Sequence, residues 1–185
     1  VFPGGRVDPG DGADGDPEME RARRAAVREA AEEAGIEVAA EDLVPFSHWM
    51  PPPQAPRRFS TWFFVTEARD VREIVVDDGE IEDHTWVAPA QALRRQADGE
   101  IELATPTWIT LHALRSYDTP AAVVDEARRR EVCYYATRIA AVDGVLVAMW
   151  DGDAGYETAD PDVSGPRNRL LMPEGAPWTF EHADG

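Results

Sequence analysis

Glu20-Arg21-Ala22-Arg23-Arg24-Ala25-Ala26-Val27-Arg28-Glu29-Ala30-Ala31-Glu32-Glu33-Ala34-Gly35 is the stretch whose reading decides the fold. Ala, Arg and Glu are good helix formers, so the run predicts a helix over 20–34 with Gly35 as its stop. Asp16-Pro17 ahead of it offers an N-cap followed by proline at the first helical position. Inside that helix Glu29, Glu32 and Glu33 stand at i, i+3 and i+4, so their carboxylates share one face. Val27, Ala30, Ala31 and Ala34 fall on the opposite side. Three carboxylates crowded together repel one another unless a cation sits among them, and hard divalent ions take oxygen ligands of this kind. A Glu-rich helix face is more often simply solvated, so the surrounding residues must decide.

Upstream, Val1-Phe2-Pro3-Gly4-Gly5 reads as the end of a strand running into a turn, and the Gly, Asp and Pro residues between Arg6 and Asp16 read as a loop that cannot pack. Taken together, Gly5, Glu20, Arg28-Glu29, Glu32-Glu33 and Gly35-Ile36, with the Phe2-Pro3-Gly4-Gly5 lead-in, resemble the Nudix box. From Glu20 onward every spacing matches that pattern. Fourteen residues separate Gly5 from Glu20 where the pattern has five, and Ala30 stands where a larger apolar residue is usual. A longer surface loop costs little, because loop entropy grows only logarithmically with length.

The resemblance implies a role for each matching residue. Glu29, Glu32 and Glu33 are then the ligands of Mg2+ (or Mn2+), the Gly5 carbonyl adds a further oxygen, and Arg28 orients Glu29. Glu20 and Gly35 are structural. A straight helix from Pro17 would place Glu20 beside Val27 on the apolar face, so the helix is expected to begin after Glu20, or Glu20 to pair with an arginine such as Arg24 or Arg28. Nudix enzymes often recruit one more carboxylate from a loop before a tryptophan-bearing strand. Glu80, ahead of Trp86, resembles it as general base or second-metal ligand, with Glu82 as the substitute and a solvated acidic loop as the plain alternative.

The expected fold is a Nudix-type α/β/α sandwich with a mixed sheet, an α/β (α+β) class. By the resemblance an earlier hairpin precedes the box, so about 40 residues of it are expected to be missing before Val1. Residues 1–130 are expected to form the Nudix domain and residues 131–185 a strand-rich extension. Strands are expected at Phe46 to Met50, Trp62 to Val65, Val71 to Val76, Thr85 to Val87, Val132 to Ile139 and Val145 to Trp150, with a turn at Asp143-Gly144. Helices are expected at Ala88 to Ala97, Thr107 to Ser116 and Ala121 to Arg130. Beyond Gly152 the sequence predicts no regular element.

Composition bounds the partners. Eighteen basic residues against 36 acidic ones give a formal charge of −18, which repels nucleic acid and anionic membrane. A phosphate-bearing substrate needs local relief from a divalent cation or placed arginines. Cys133 is the single cysteine, so no intrachain disulfide forms and a cytoplasmic location is expected. The four histidines show no zinc-ligand spacing, and no run of about 18 apolar residues is present. The oligomeric state is not fixed by the sequence; a homodimer is compatible with it.

A less specific resemblance runs beyond the box, to the subfamily of peroxisomal coenzyme A diphosphatases with a long insertion after Phe-Pro-Gly-Gly. It rests on the inserted loop, His48-Trp49 with Pro51 to Pro53, Pro56-Arg57-Arg58-Phe59-Ser60-Thr61 leading into Phe63-Phe64, and Pro106-Thr107-Trp108. It implies coenzyme A or acyl-coenzyme A as substrate. A Nudix hydrolase of ADP-ribose or NADH type, or a catalytically silent nucleotide-binding module, are the alternatives. Arg57 and Arg58 suit phosphate clamps, or are surface charges balancing nearby acids. Trp49 and Phe59 suit an adenine stack, or are core. Arg94-Arg95, Arg115 and Arg128 to Arg130 read as solvated helix faces.

Overall fold

A computed structural model of the chain describes residues 2–55, 59–68 and 86–183. In chain order the described elements are α1 (Glu18–Ala34), β1 (Val44–Met50), β2 (Thr61–Val65), α2 (Pro89–Ala97), α3 (Thr105–Leu114), α4 (Pro120–Arg129), β3 (Cys133–Ala136), β4 (Arg138–Val142), β5 (Val145–Met149), β6 (Asn168–Met172) and β7 (Thr179–His182). One sheet has the order β2-β1-β3 and a second the order β4-β5-β6-β7. The class is the expected mixed α+β one. The chain forms two compact units, the first of residues 1–47, 61–88 and 113–133, the second of residues 48–60, 89–112 and 134–185.

In the first unit α1 and α4 both pack on β2. Successive strand residues point to opposite faces of a sheet, and β2 shows what each face meets. Phe64 lies under the Arg23 guanidinium of α1, 5.8 Å from its ring centre. Val65, one residue on, packs into a core of Val44, Phe46, Val124 and Ala127, the last two from α4. A helix therefore covers each face of this strand, the layering of an α/β/α sandwich.

Helix α1 starts at Glu18, ahead of Glu20, with Pro17 itself at the N-cap and no side chain capping it. Of the two alternatives for Glu20 the second holds: the residue lies inside the helix and pairs with an arginine, which is Arg23, at 3.5 Å. Arg24 and Arg28 are engaged elsewhere, and Glu20 stays partly exposed, which removes the cost of burying an unpaired carboxylate. The Asp16 carboxylate accepts the Ala13 N–H at 3.2 Å and pairs with Arg24 instead of capping the helix. At the other end Gly35 turns left-handed (φ 61°, ψ 22°), and Ile36 N–H reaches the Ala30 carbonyl at 3.0 Å.

Helix α4 is capped by Thr119, whose hydroxyl accepts the Ala122 N–H at 3.2 Å, with Pro120 at the first position. Arg130, expected on a solvated helix face, instead lies over the Phe46 ring at 4.3 Å and donates to the Phe46 carbonyl at 3.1 Å. Its planar guanidinium suits both contacts at once.

The second unit is built on the antiparallel sheet β4-β5-β6-β7. Asp143 and Gly144, both at positive φ (49° and 81°), turn β4 into β5 as the sequence predicts. The fully buried centre is Val147, Ala148, Met149, Trp150 and Leu170. Strands β6 and β7 fall in the region for which no element was expected. Arg169, pointing into the core from β6, obscured the pattern, and its partner Asp153 lies 16 residues earlier. Trp86 and Val87 are not in a strand, and the expected strand Val71 to Val76 lies outside the described residues.

Candidate metal centre

The box helix places its three glutamates on one turn, and two devices hold them. The first is Arg28. Its Nη1 donates to Glu29 Oε1 and to Glu32 Oε2, each at 2.9 Å. Its Nη2 donates to the Arg6 carbonyl at 2.9 Å and to Asp11 Oδ2 at 3.1 Å, and its Nε to Asp11 Oδ1 at 3.1 Å. All five N–H groups of the guanidinium thus have acceptors. The hydrogen bond to Asp11, then that to Glu32, raises the affinity of Arg28 for its proton well above the usual arginine value.

The second device is the glycine turn. Gly4 N–H donates to Glu33 Oε2 at 2.9 Å. A Cβ placed on Gly5 would stand 2.2 Å from Glu29 Oε1, so any larger residue there must displace that carboxylate. Glu29 is correspondingly sheltered, with its side chain 13% exposed, whereas Glu32 is 60% exposed.

These residues fit a hard divalent cation by the chemistry of the donor set and by the cradle at Gly5. Among the described residues, no three acidic, histidine or cysteine side chains converge as a ready-made cage. Arg28 Nη1 sits between two of the three carboxylates, so Glu32 would have to turn off that nitrogen to meet an ion. An exposed ion pair of this kind contributes about 0–1 kcal/mol, so the exchange is inexpensive.

Sequence reasoning missed Asp11. It sits in a 3-10 turn, Pro9–Asp11, within the inserted loop, and is only 5% exposed. The loop expected not to pack is therefore anchored, since backbone hydrogen bonds and one buried charge can order a segment with no apolar side chain. The Arg28 hydrogen bonds hold the Asp11 carboxyl below the usual carboxylate range, helped by the Asp8 N–H at 2.7 Å. Its main-chain carbonyl accepts from Arg24 Nε at 2.6 Å. An aspartate among Asp, Gly and Pro carries no periodic signal, and only the partner 17 residues away reveals it.

Of the remaining candidates, Trp49 requires correction. It is 3% exposed, stacked on Tyr135 at 4.0 Å between ring centres and edge-on to Trp150, so it has no face open to an adenine. Its burial follows from packing large flat surfaces together in the second unit. Phe59 is exposed. Arg57, Arg58, Glu80 and Glu82 lie outside the described residues.

No helix among the described residues is long and apolar enough to cross a membrane. No curated protein and no solved structure matches the chain. The family model for the NUDIX domain matches residues 1–108, more than half of the 185 residues and a span that takes in every box residue. The chain belongs to the Nudix superfamily, a family of pyrophosphohydrolases that generally use divalent metal ions.

Proposed function

We propose that this protein hydrolyses a diphosphate linkage in coenzyme A or an acyl-coenzyme A, with Mg2+ or Mn2+ as its cofactor. The observation that supports the metal reading is the seating of Gly4-Gly5 against Glu29 and Glu33, which holds two of the box carboxylates beside the glycine turn. Glu29, Glu32, Glu33 and the Gly5 carbonyl would hold the cation. When bound, it supplies positive charge to phosphate oxygens and makes an attacking water more acidic.

The chain's own residues divide the remaining work. Glu29, sheltered and tied to Arg28, is the fixed member of the set, and Glu32 is the one able to swing. All five N–H groups of Arg28 are engaged, and Glu32 turning to the ion would release only one, so Arg28 chiefly positions carboxylates. In a protein of charge −18 the phosphate clamp falls to Arg57 and Arg58, and proton removal from water to Glu80. Stacking on the adenine is assigned to Phe59, which is exposed. The support for coenzyme A is the subfamily resemblance carried by the inserted loop, His48-Trp49, Pro56 to Thr61 and Pro106-Thr107-Trp108.

Incubation with Mg2+ and coenzyme A, acetyl-coenzyme A, ADP-ribose or NADH, with products read by mass, tests this. Phosphopantetheine and adenosine 3′,5′-bisphosphate from coenzyme A are expected. Cleavage confined to ADP-ribose or NADH would remove the substrate assignment and keep the chemistry. Binding without turnover of any of them would make the protein a silent nucleotide-binding module.

A further inference from the structure

The inserted loop makes a contact that the box itself does not require. We propose that Asp11 is a positioning residue, whose carboxylate sets the Arg28 guanidinium so that its remaining nitrogen holds Glu29 in place for the cation and keeps Glu32 within a short swing of it. This rests on the metal-site reading given above.

The geometry is that of a relay through one rigid plane. Asp11 takes Nε and Nη2 of Arg28 on separate oxygens, both at 3.1 Å, a two-point grip that fixes the plane of the fork. With the plane fixed, Nη1 has one place to be, and it is there that Glu29 Oε1 and Glu32 Oε2 meet it. Asp11 is itself held: it accepts the Asp8 N–H, and its carbonyl takes Arg24 Nε. Without Asp11, Arg28 would keep its charge but lose its fixed plane. It would then pair with the glutamates in many geometries and compete with the cation for them. The extra loop residues thereby gain a function: they deliver a buried acid to the back of the box arginine.

A purely tethering role for the loop predicts something different. Asp16 also ties the loop to α1, through Arg24, and makes no contact with Arg28. Mn2+ binding to the whole chain, followed by electron paramagnetic resonance alongside thermal melting, separates the two roles. Asp11→Asn keeps the shape and removes the charge. It should weaken Mn2+ binding about 10- to 100-fold, the usual effect of losing a partner behind a metal ligand. Asp16→Asn should leave Mn2+ affinity within about twofold, because Arg28 keeps all its partners. Arg28→Lys, which keeps a charge beside Asp11 but abolishes the fork, should weaken Mn2+ binding by a similar factor. The Asp11→Asn/Arg28→Lys double variant should be no worse than either alone, since both cut one relay. Wild-type-like Mn2+ affinity in Asp11→Asn, or an equal loss in Asp16→Asn, overturns the proposal while leaving the metal site intact. Should Asp11→Asn fail to fold, Arg28→Lys decides by the same measure. Wild-type protein that binds no Mn2+ removes the metal reading, and this inference with it.

Discussion

Gly5 lies so close to Glu29 that a single added carbon would overlap the Oε1 carboxylate oxygen. The glycine is exposed, so its identity matters to the site and hardly to the core. Gly5→Ala is expected to push Glu29 out of place, lowering kcat/KM at least about tenfold, which is about 1.4 kcal/mol of lost transition-state stabilisation. The melting temperature should hold, because the displaced group is the end of a flexible side chain and such surface changes usually stay within about 0.5 kcal/mol. Steady-state kinetics and a thermal melt on the same sample check both halves.

Trp49 separates core from substrate contact. Buried between Tyr135 and Trp150, it is expected to act on stability alone. Trp49→Ala should cost about 3–5 kcal/mol of folding free energy, the usual price of emptying an aromatic core position. Denaturant unfolding measures that loss. KM of the fraction that remains folded should be unchanged, and a raised KM with unaltered stability would return Trp49 to the substrate.

The second unit carries a buried ion pair with a definite pH signature. Asp153 accepts from Arg169 Nε at 2.7 Å and Nη2 at 2.6 Å, and from the N–H groups of Gly155 and Asn168 at 2.8 and 2.9 Å. Burial alone would push its carboxyl up, but Arg169 and the two amides outweigh it and bring the value from 3.8 to about 2. A carboxyl lowered on folding stabilises above its unfolded value and loses that contribution as pH falls through the folded one. The window is therefore from about pH 4 down to about pH 2, and the contribution is about 2 kcal/mol. Asp153→Asn should be less stable at neutral pH by about 3–5 kcal/mol, because Arg169 is left buried and unpaired. Urea unfolding across this range should show the gap between the two proteins narrowing toward pH 2.

What could be read from the sequence was local. The box helix, its Gly35 stop and the Asp143-Gly144 turn each depend on neighbours within a few residues, where spacing and backbone preference decide. The same holds for α4, although Thr119 and Pro120 start it one residue early. The parts that escaped depend on partners far along the chain. Asp11 looked like one more loop aspartate until Arg28 reached it, Arg169 looked too charged for an inward strand position until Asp153 matched it, and Arg130 looked solvated until Phe46 lay beneath it. Glu20 was constrained correctly to need a partner, but a helix offers several arginines within reach, and only the rotamer selects Arg23. For the candidate site, Gly5 lies against Glu29, Arg28 bridges Glu29 and Glu32, and the Gly4 N–H reaches Glu33, without the three carboxylates converging on one point, whereas Trp49 belongs to the core.

The central claim is that the α1 carboxylates hold a cation against substrate phosphate, and Glu32→Gln tests it most directly. The substitution preserves size and helix propensity and removes one charge from the most exposed of the three box glutamates. With Mg2+ and the substrate that the wild-type protein cleaves, product measured by mass should fall by at least about a hundredfold, as for loss of a main charge-stabilising group. Undiminished product formation by a folded Glu32→Gln protein would contradict the account.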